Sequence, residues 1–168
     1  YLQDCLDKTN EKIFENARKY EENKGMATTA AIVYARGGIA YIANVGDSRV
    51  YLFRNEKLVQ LTEDHTYVNT LLNAGIISEE QAASDSRKNV ITKALGAEDT
   101  VEPDFFQVDI IKDDIFILCT DGLYDEVSEN EMKNILKKKA SMSDVCADMI
   151  GAANRNGGHD NITIIALR

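Results

Sequence analysis

The chain has 168 residues, 44% hydrophobic and 28% charged, which suits one globular domain with a real core. Its 19 Lys and Arg against 28 Asp and Glu leave a formal charge of −9, which argues against a nucleic-acid backbone as the main partner. Cys5, Cys119 and Cys146 are an odd, scattered set without a C-x-x-C pair. They favour a reducing, cytoplasmic setting over a disulfide framework. No apolar stretch is long enough to span a bilayer and no signal peptide is visible, so no membrane partner is expected of this segment.

In chain order, Leu2, Leu6, Thr9, Ile13 and Ala17 recur at helical spacing, widened by Phe14 and Tyr20, and Gly25 is the expected stop. The helix has no capping residue at its start, as if it began before Tyr1. A strand block follows: Thr29 to Tyr34, a Gly37-Gly38 turn, Ile39 to Val45, a Gly46-Asp47 turn, Val50 to Phe53, and Leu58 to Leu61 after Arg54-Asn55-Glu56. Short strands with tight turns predict antiparallel pairing. The stretch from Thr62 to Thr100 is more polar, with a short stripe of Tyr67, Val68, Leu71 and Leu72 ended by Gly75. Ser78 and Gln81 form a capping-box pattern for another short helix. Strands resume at Phe105 to Val108 and Ile115 to Cys119, where Cys119 reads as a small buried hydrophobe. Ser128 and Glu131 open a helix carrying Met132, Ile135 and Leu136. The Lys137-Lys138-Lys139 run at its end complements the helix dipole. A further helix carries Val145, Cys146, Met149, Ile150 and Ala153, stops near Gly157-Gly158, and leads to a last strand, Ile162 to Leu167. The expected class is α+β, a β-sandwich with helices packed outside it.

Three aspartates, Asp47, Asp121 and Asp160, sit at glycine-flanked turns beside apolar, β-prone runs. Strand ends are rigid, so acids from distant strand ends can converge on one hard cation. Each also has a plainer reading: Asp47 as part of a two-residue hairpin turn with Arg49 as counter-ion, Asp121-Gly122 as a turn, and Asp160 as an Asx turn capping the preceding helix. His159 reads as a ligand, a general acid or a solvent-exposed loop residue. Ser48 lacks a G-x-S-x-G elbow, and neither His65 nor His159 has an obvious orienting acid in the sequence, so a Ser-His-Asp mechanism is not expected. If the acids converge, oxygen-only ligation selects Mg²⁺, Mn²⁺ or Ca²⁺ over zinc or copper. A pair of such ions can lower the pKa of a bridging water and neutralise a phosphoryl oxygen.

Six strings in order resemble the metal-dependent PPM/PP2C family of Ser/Thr protein phosphatases, in its compact bacterial branch. They are Gly25-Met26-Ala27-Thr28-Thr29, Ala43-Asn44-Val45-Gly46-Asp47-Ser48-Arg49, Leu61-Thr62-Glu63-Asp64-His65, Asn89-Val90-Ile91-Thr92-Lys93-Ala94-Leu95-Gly96, Leu118-Cys119-Thr120-Asp121-Gly122-Leu123 and His159-Asp160-Asn161-Ile162-Thr163. The resemblance implies a sandwich of two antiparallel sheets flanked by helices. It implies that Asp121 and Asp160 ligate two catalytic Mn²⁺ or Mg²⁺ ions, that Asp47 with Asp121 can hold a third, and that Asn161 orients the acid beside it. It also implies phosphoprotein substrates made by a Ser/Thr kinase, a signalling role, and a flap over about 62–100 within a single domain spanning 1–168. The family's opening motifs are missing from these residues: an arginine that grips the phosphate, a Glu-Asp pair, and an Asp-Gly-x-Gly-Gly-His string that bridges both metals. The chain therefore resembles the last two-thirds of the domain with its first strands missing, and Lys93 stands where an arginine is common. A phosphatase whose present residues alone are inactive, and a non-catalytic binding module on the same scaffold, are the two functional expectations.

Overall fold

A computed structural model of the chain describes residues 1–138 and 141–168. Lys139, the last residue of the lysine run, lies outside them; Lys137 caps its helix and pairs with Glu56 at 3.1 Å, and Lys138 pairs with Asp148 at 3.1 Å. The chain divides into two compact units, one comprising residues 1–30, 43–47 and 63–104 and the other 31–42, 48–62 and 105–168.

The first unit is built on α1 (Leu2–Lys19), a 3-10 turn (Glu21–Asn23), α2 (Tyr67–Asn73) and α3 (Glu79–Ser84). The backbone turns extended at Tyr20, so α1 ends five residues before the expected Gly25. Its buried positions are Leu6 and, against expectation, the polar Asn10, while Thr9 is exposed and donates to Cys5 O. Asn10 explains itself by its bonds. Its Nδ2 donates to Glu98 O and Asp99 O, both at 3.1 Å, and its Oδ1 accepts from Gly96 N at 2.7 Å. One buried amide thus satisfies three backbone groups of a loop, of which Gly96 N–H is buried. Thr66 caps α2, and Ser78 with Gln81 makes the predicted reciprocal capping box on α3.

Among the described residues, seven strands make two sheets: β1 (Ala30–Arg36), β2 (Ile39–Val45), β3 (Arg49–Arg54), β4 (Lys57–Gln60), β5 (Asp104–Asp109), β6 (Ile115–Cys119) and β7 (Ile164–Leu167). The orders are β1-β2-β5 and β4-β3-β6-β7, and β3 pairs antiparallel with both β4 and β6, as β6 does with β7. Asn55 and Glu56 both adopt left-handed backbone, the geometry of a two-residue hairpin between β3 and β4. In the second unit, Ala40 and Ile42 of the smaller sheet pack with Val50, Leu52 and Phe116 of the larger. The other face of the larger sheet, with Tyr51, Ile115, Ile117 and Cys119, is covered by α4 (Asp121–Tyr124), α5 (Glu129–Leu136) and α6 (Met142–Asn156) through Leu123, Met132, Ile135, Val145 and Met149. Sheet, sheet and helices form successive layers, as an α+β sandwich with outer helices requires. The alternation of β7, half-buried then exposed, is the period-2 pattern of a strand with one face on a core.

The sandwich changes one expectation. β2 and β3 lie in different sheets, so the Gly46-Asp47 turn is a crossing between sheets and not a hairpin turn. Among the described residues, no helix is long and apolar enough to cross a membrane.

Candidate metal centre

Asp121 opens the four-residue helix α4, with Thr120 between it and β6, where the plainer reading of Asp121-Gly122 is a turn. Asp160 lies in the turn between α6 and β7. Antiparallel pairing of β6 with β7 brings the carboxyl end of one strand to the amino end of the other, so both acids fall at the same end of the sheet. Thr120 then ties the two loops: its N–H donates to Thr163 O at 3.2 Å, its Oγ1 accepts from Thr163 N at 3.1 Å and donates to Asn161 O at 3.3 Å. Gly122 closes the arrangement. A Cβ added there would lie 2.4 Å from Asn161 O and 3.5 Å from the Asp160 carbonyl carbon. Only a residue without a side chain allows the two backbones to approach so closely.

Asp121 is half-buried and Asp160 exposed. Oδ1 of Asp121 accepts from Gly122 N at 2.9 Å and Oδ1 of Asp160 accepts from Asn161 N at 2.6 Å. Asn161 therefore meets the acid beside it through its backbone N–H. These are hard oxygen donors on fixed backbone, which suits a divalent cation that keeps much of its water shell. Among the described residues, no three His, Cys, Asp or Glu side chains form a ready metal-binding group.

His159, in the same turn, has an exposed side chain whose Nδ1 lies 2.6 Å from Glu126 Oε1. Asn156 Nδ2 donates to Glu126 O at 2.8 Å, so Glu126 anchors both the end of α6 and the turn that follows. Of the open readings of His159, the geometry displays the exposed loop residue, engaged by a neighbouring acid.

Asp47, in the first unit, is buried, and the turn that holds it is gripped by the side chains of His65 and Asn44. His65 Nδ1 accepts from Gly46 N at 3.0 Å, His65 N donates to Gly46 O at 3.0 Å, and Asn44 Nδ2 donates to Gly46 O at 3.1 Å and Glu63 O at 3.0 Å. An acceptor at Nδ1 places the ring proton on Nε2, which lies 3.1 Å from Asp104 Oδ2, itself 3.6 Å from Lys93 Nζ. The N–H does not point along the His65–Asp104 line, so this is a close electrostatic approach and not an aligned hydrogen bond. An acid does face His65, but one 39 residues away in sequence, in a role that orients a turn. Gly46 has φ +98°, and a Cβ there would meet Thr29 Cγ2 at 2.3 Å, which fixes glycine at the position. Asn44 and His65 both lie in the strings that carry the family resemblance, but nothing local in those strings marks a clasp.

Comparison with known proteins agrees with this architecture. The profile of the family Protein phosphatase 2C matches residues 1–162. The serine/threonine phosphatase Stp of Listeria innocua is 42% identical over 167 residues, covering 99% of this chain and 66% of that protein. The S. agalactiae serine/threonine phosphatase structure has a TM-score of 0.93 at 36% identity, covering 98% of this chain and 67% of that one. The catalytic domain of the serine/threonine protein phosphatase PstP, solved in complex with two manganese ions, has a TM-score of 0.87 at 31% identity, covering 98% and 68% of the two chains. The chain belongs to the protein phosphatase 2C family and spans 66% of the length of the Listeria protein.

Proposed function

We propose that this chain carries part of the metal centre of a phosphatase that hydrolyses phosphoserine and phosphothreonine in proteins. The observation that supports it most is the backbone contact at Gly122, which sets the Asp121 and Asp160 loops side by side at one end of the larger sheet. Asp121 and Asp160 would hold Mn²⁺ or Mg²⁺; Asp47 is assigned to an accessory ion on the family resemblance alone. When bound, such ions supply a water of lowered pKa and neutralise charge on the phosphoryl group. The chain's own residues supply position: Thr120 and Gly122 hold the two acids, the following N–H groups occupy one oxygen of each, and Asn161 fixes the turn behind Asp160. The substrates are proposed to be products of a Ser/Thr kinase in a cytoplasmic signalling pair, with the 62–100 segment as a flap governing access.

Residues 1–168 contain no Asp-Gly-x-Gly-Gly-His string, so alone they are expected to bind metal without appreciable turnover. Joined to a segment that supplies it, they are expected to release phosphate from a phosphothreonine peptide with Mn²⁺ and to stop when a chelator is added. A folded chain of that kind releasing no phosphate overturns the hydrolase reading. The same missing string supports a second reading, a module that binds phosphoproteins without cleaving them. Phosphopeptide binding with no release by the joined chain would favour it.

A further inference from the structure

Arg49, in β3, stands opposite Cys119 in the β3–β6 ladder, two residues before Asp121. Its Cζ lies 3.5 Å from the centre of the Tyr124 ring, at contact distance over the face, and its Nη1 donates to Tyr51 Oη at 2.9 Å. Tyr51 is fully buried in the core beneath the outer helices, so one edge of the guanidinium is tied to a core side chain. Burial pushes the Tyr51 hydroxyl well above its usual range despite the neighbouring arginine, so it remains neutral. Tyr124 is the last residue of α4, three places after Asp121, and residues three apart share a helix face. A four-residue helix without a side-chain cap cannot hold its own geometry. Leu123, buried in the core, fixes one side of it; the Arg49–Tyr124 stack holds the side that bears Asp121.

We infer that Arg49 is a positioning residue for the Asp121 carboxylate: by clamping Tyr124 it fixes the α4 turn and so sets the metal affinity of the Asp121–Asp160 pair. The inference rests on the metal-binding reading of those two acids. Arginine suits the task because one planar group can stack on a ring and donate from its edge at once, which a lysine ammonium cannot do.

The test uses the 168-residue chain and Mn²⁺ alone, read as paramagnetic broadening of the Gly122 and Asn161 amide signals during titration, with urea stability measured alongside. Arg49→Lys and Tyr124→Leu are each expected to weaken Mn²⁺ binding about tenfold, and the double variant no further than either single one, as for two halves of one device. Ile135→Val, in the same core but on α5, is the control: it is expected to lower stability and leave Mn²⁺ affinity within about twofold. Should Arg49→Lys not fold, Tyr51→Phe removes the anchor with little volume change and is expected to weaken Mn²⁺ binding about threefold. Arg49→Lys and Tyr124→Leu chains that lose stability but bind Mn²⁺ like the parent would overturn the inference, leaving Arg49 a packing residue only. In that case loss of broadening in Asp121→Asn shows that the metal reading itself survives. Broadening unchanged in Asp121→Asn overturns both.

Discussion

The two regions that carry the candidate ligands are made rigid by opposite means. Around Asp121 and Asp160, backbone lies directly on backbone above an apolar core, and the side chain of Thr120 ties the two loops by hydrogen bonds at their meeting point. Around Asp47, the turn is held by buried polar side chains, His65 and Asn44, each matched to a particular peptide group. Close packing resists any added atom yet is indifferent to most neighbouring substitutions. A polar clasp accepts little change in chemistry, because each lost atom strands a buried N–H or C=O.

The largest effect is expected where packing is tightest. Gly122→Ala places a Cβ against Asn161 O and should cost about 3 kcal/mol in urea unfolding, in the upper range for overpacking. A cost near zero would show that the loops can separate freely. For the clasp, His65→Ala leaves Gly46 N–H buried without its acceptor and should cost about 2 kcal/mol, with His65→Asn recovering part by returning an acceptor. Equal losses in the two variants would mean that ring packing and not the hydrogen bond holds the turn. Asn10→Leu, which leaves Gly96 N–H buried without its acceptor, is expected to resemble His65→Ala.

A smaller and pH-dependent effect sharpens the contrast, because it sets a polar staple inside the apolar unit. Asp114 is buried and takes a two-pronged contact from Arg54, whose Nη2 also donates to Asp109 O. The hydrogen bond from Arg54 outweighs burial and holds the Asp114 carboxyl below its usual value of 3.8. A lowered folded-state pKa means stability that is present above that usual value and is lost as pH falls through the lowered one. Asp114→Asn should therefore cost about 1.5 kcal/mol at neutral pH, with the gap to the parent closing as pH falls through the lowered pKa. A gap independent of pH would contradict an ionic origin.

Much of this was legible because it is local. Helical periodicity gave α1, α5 and α6, apolar runs bounded by turns gave the strands, and the Ser78–Gln81 spacing gave a capping box that the structure contains. Asp121 and Asp160 were visible as acids at the ends of apolar runs, and pairing of β6 with β7 places those ends together. What escaped is non-local. A glycine-aspartate turn reads the same whether it joins neighbours or crosses between sheets, and only the sheet order distinguishes them. Asn10 bonds 86 residues away and His65 grips a turn 19 residues earlier, so neither leaves a local pattern. Arg49 looked like a counter-ion beside Asp47, while its stacking partner Tyr124 lies on a helix 75 positions on, beyond any local signal.

The central claim is that the Asp121 and Asp160 loops are built to hold a hard cation. Anomalous diffraction at the manganese edge, from crystals of the 168-residue chain soaked in Mn²⁺, tests it most directly. The account predicts a peak at about 2–2.5 Å from carboxylate oxygens of both Asp121 and Asp160, lost in Asp121→Asn crystals. Ordered loops with no peak between them, or a peak that survives Asp121→Asn, would contradict it.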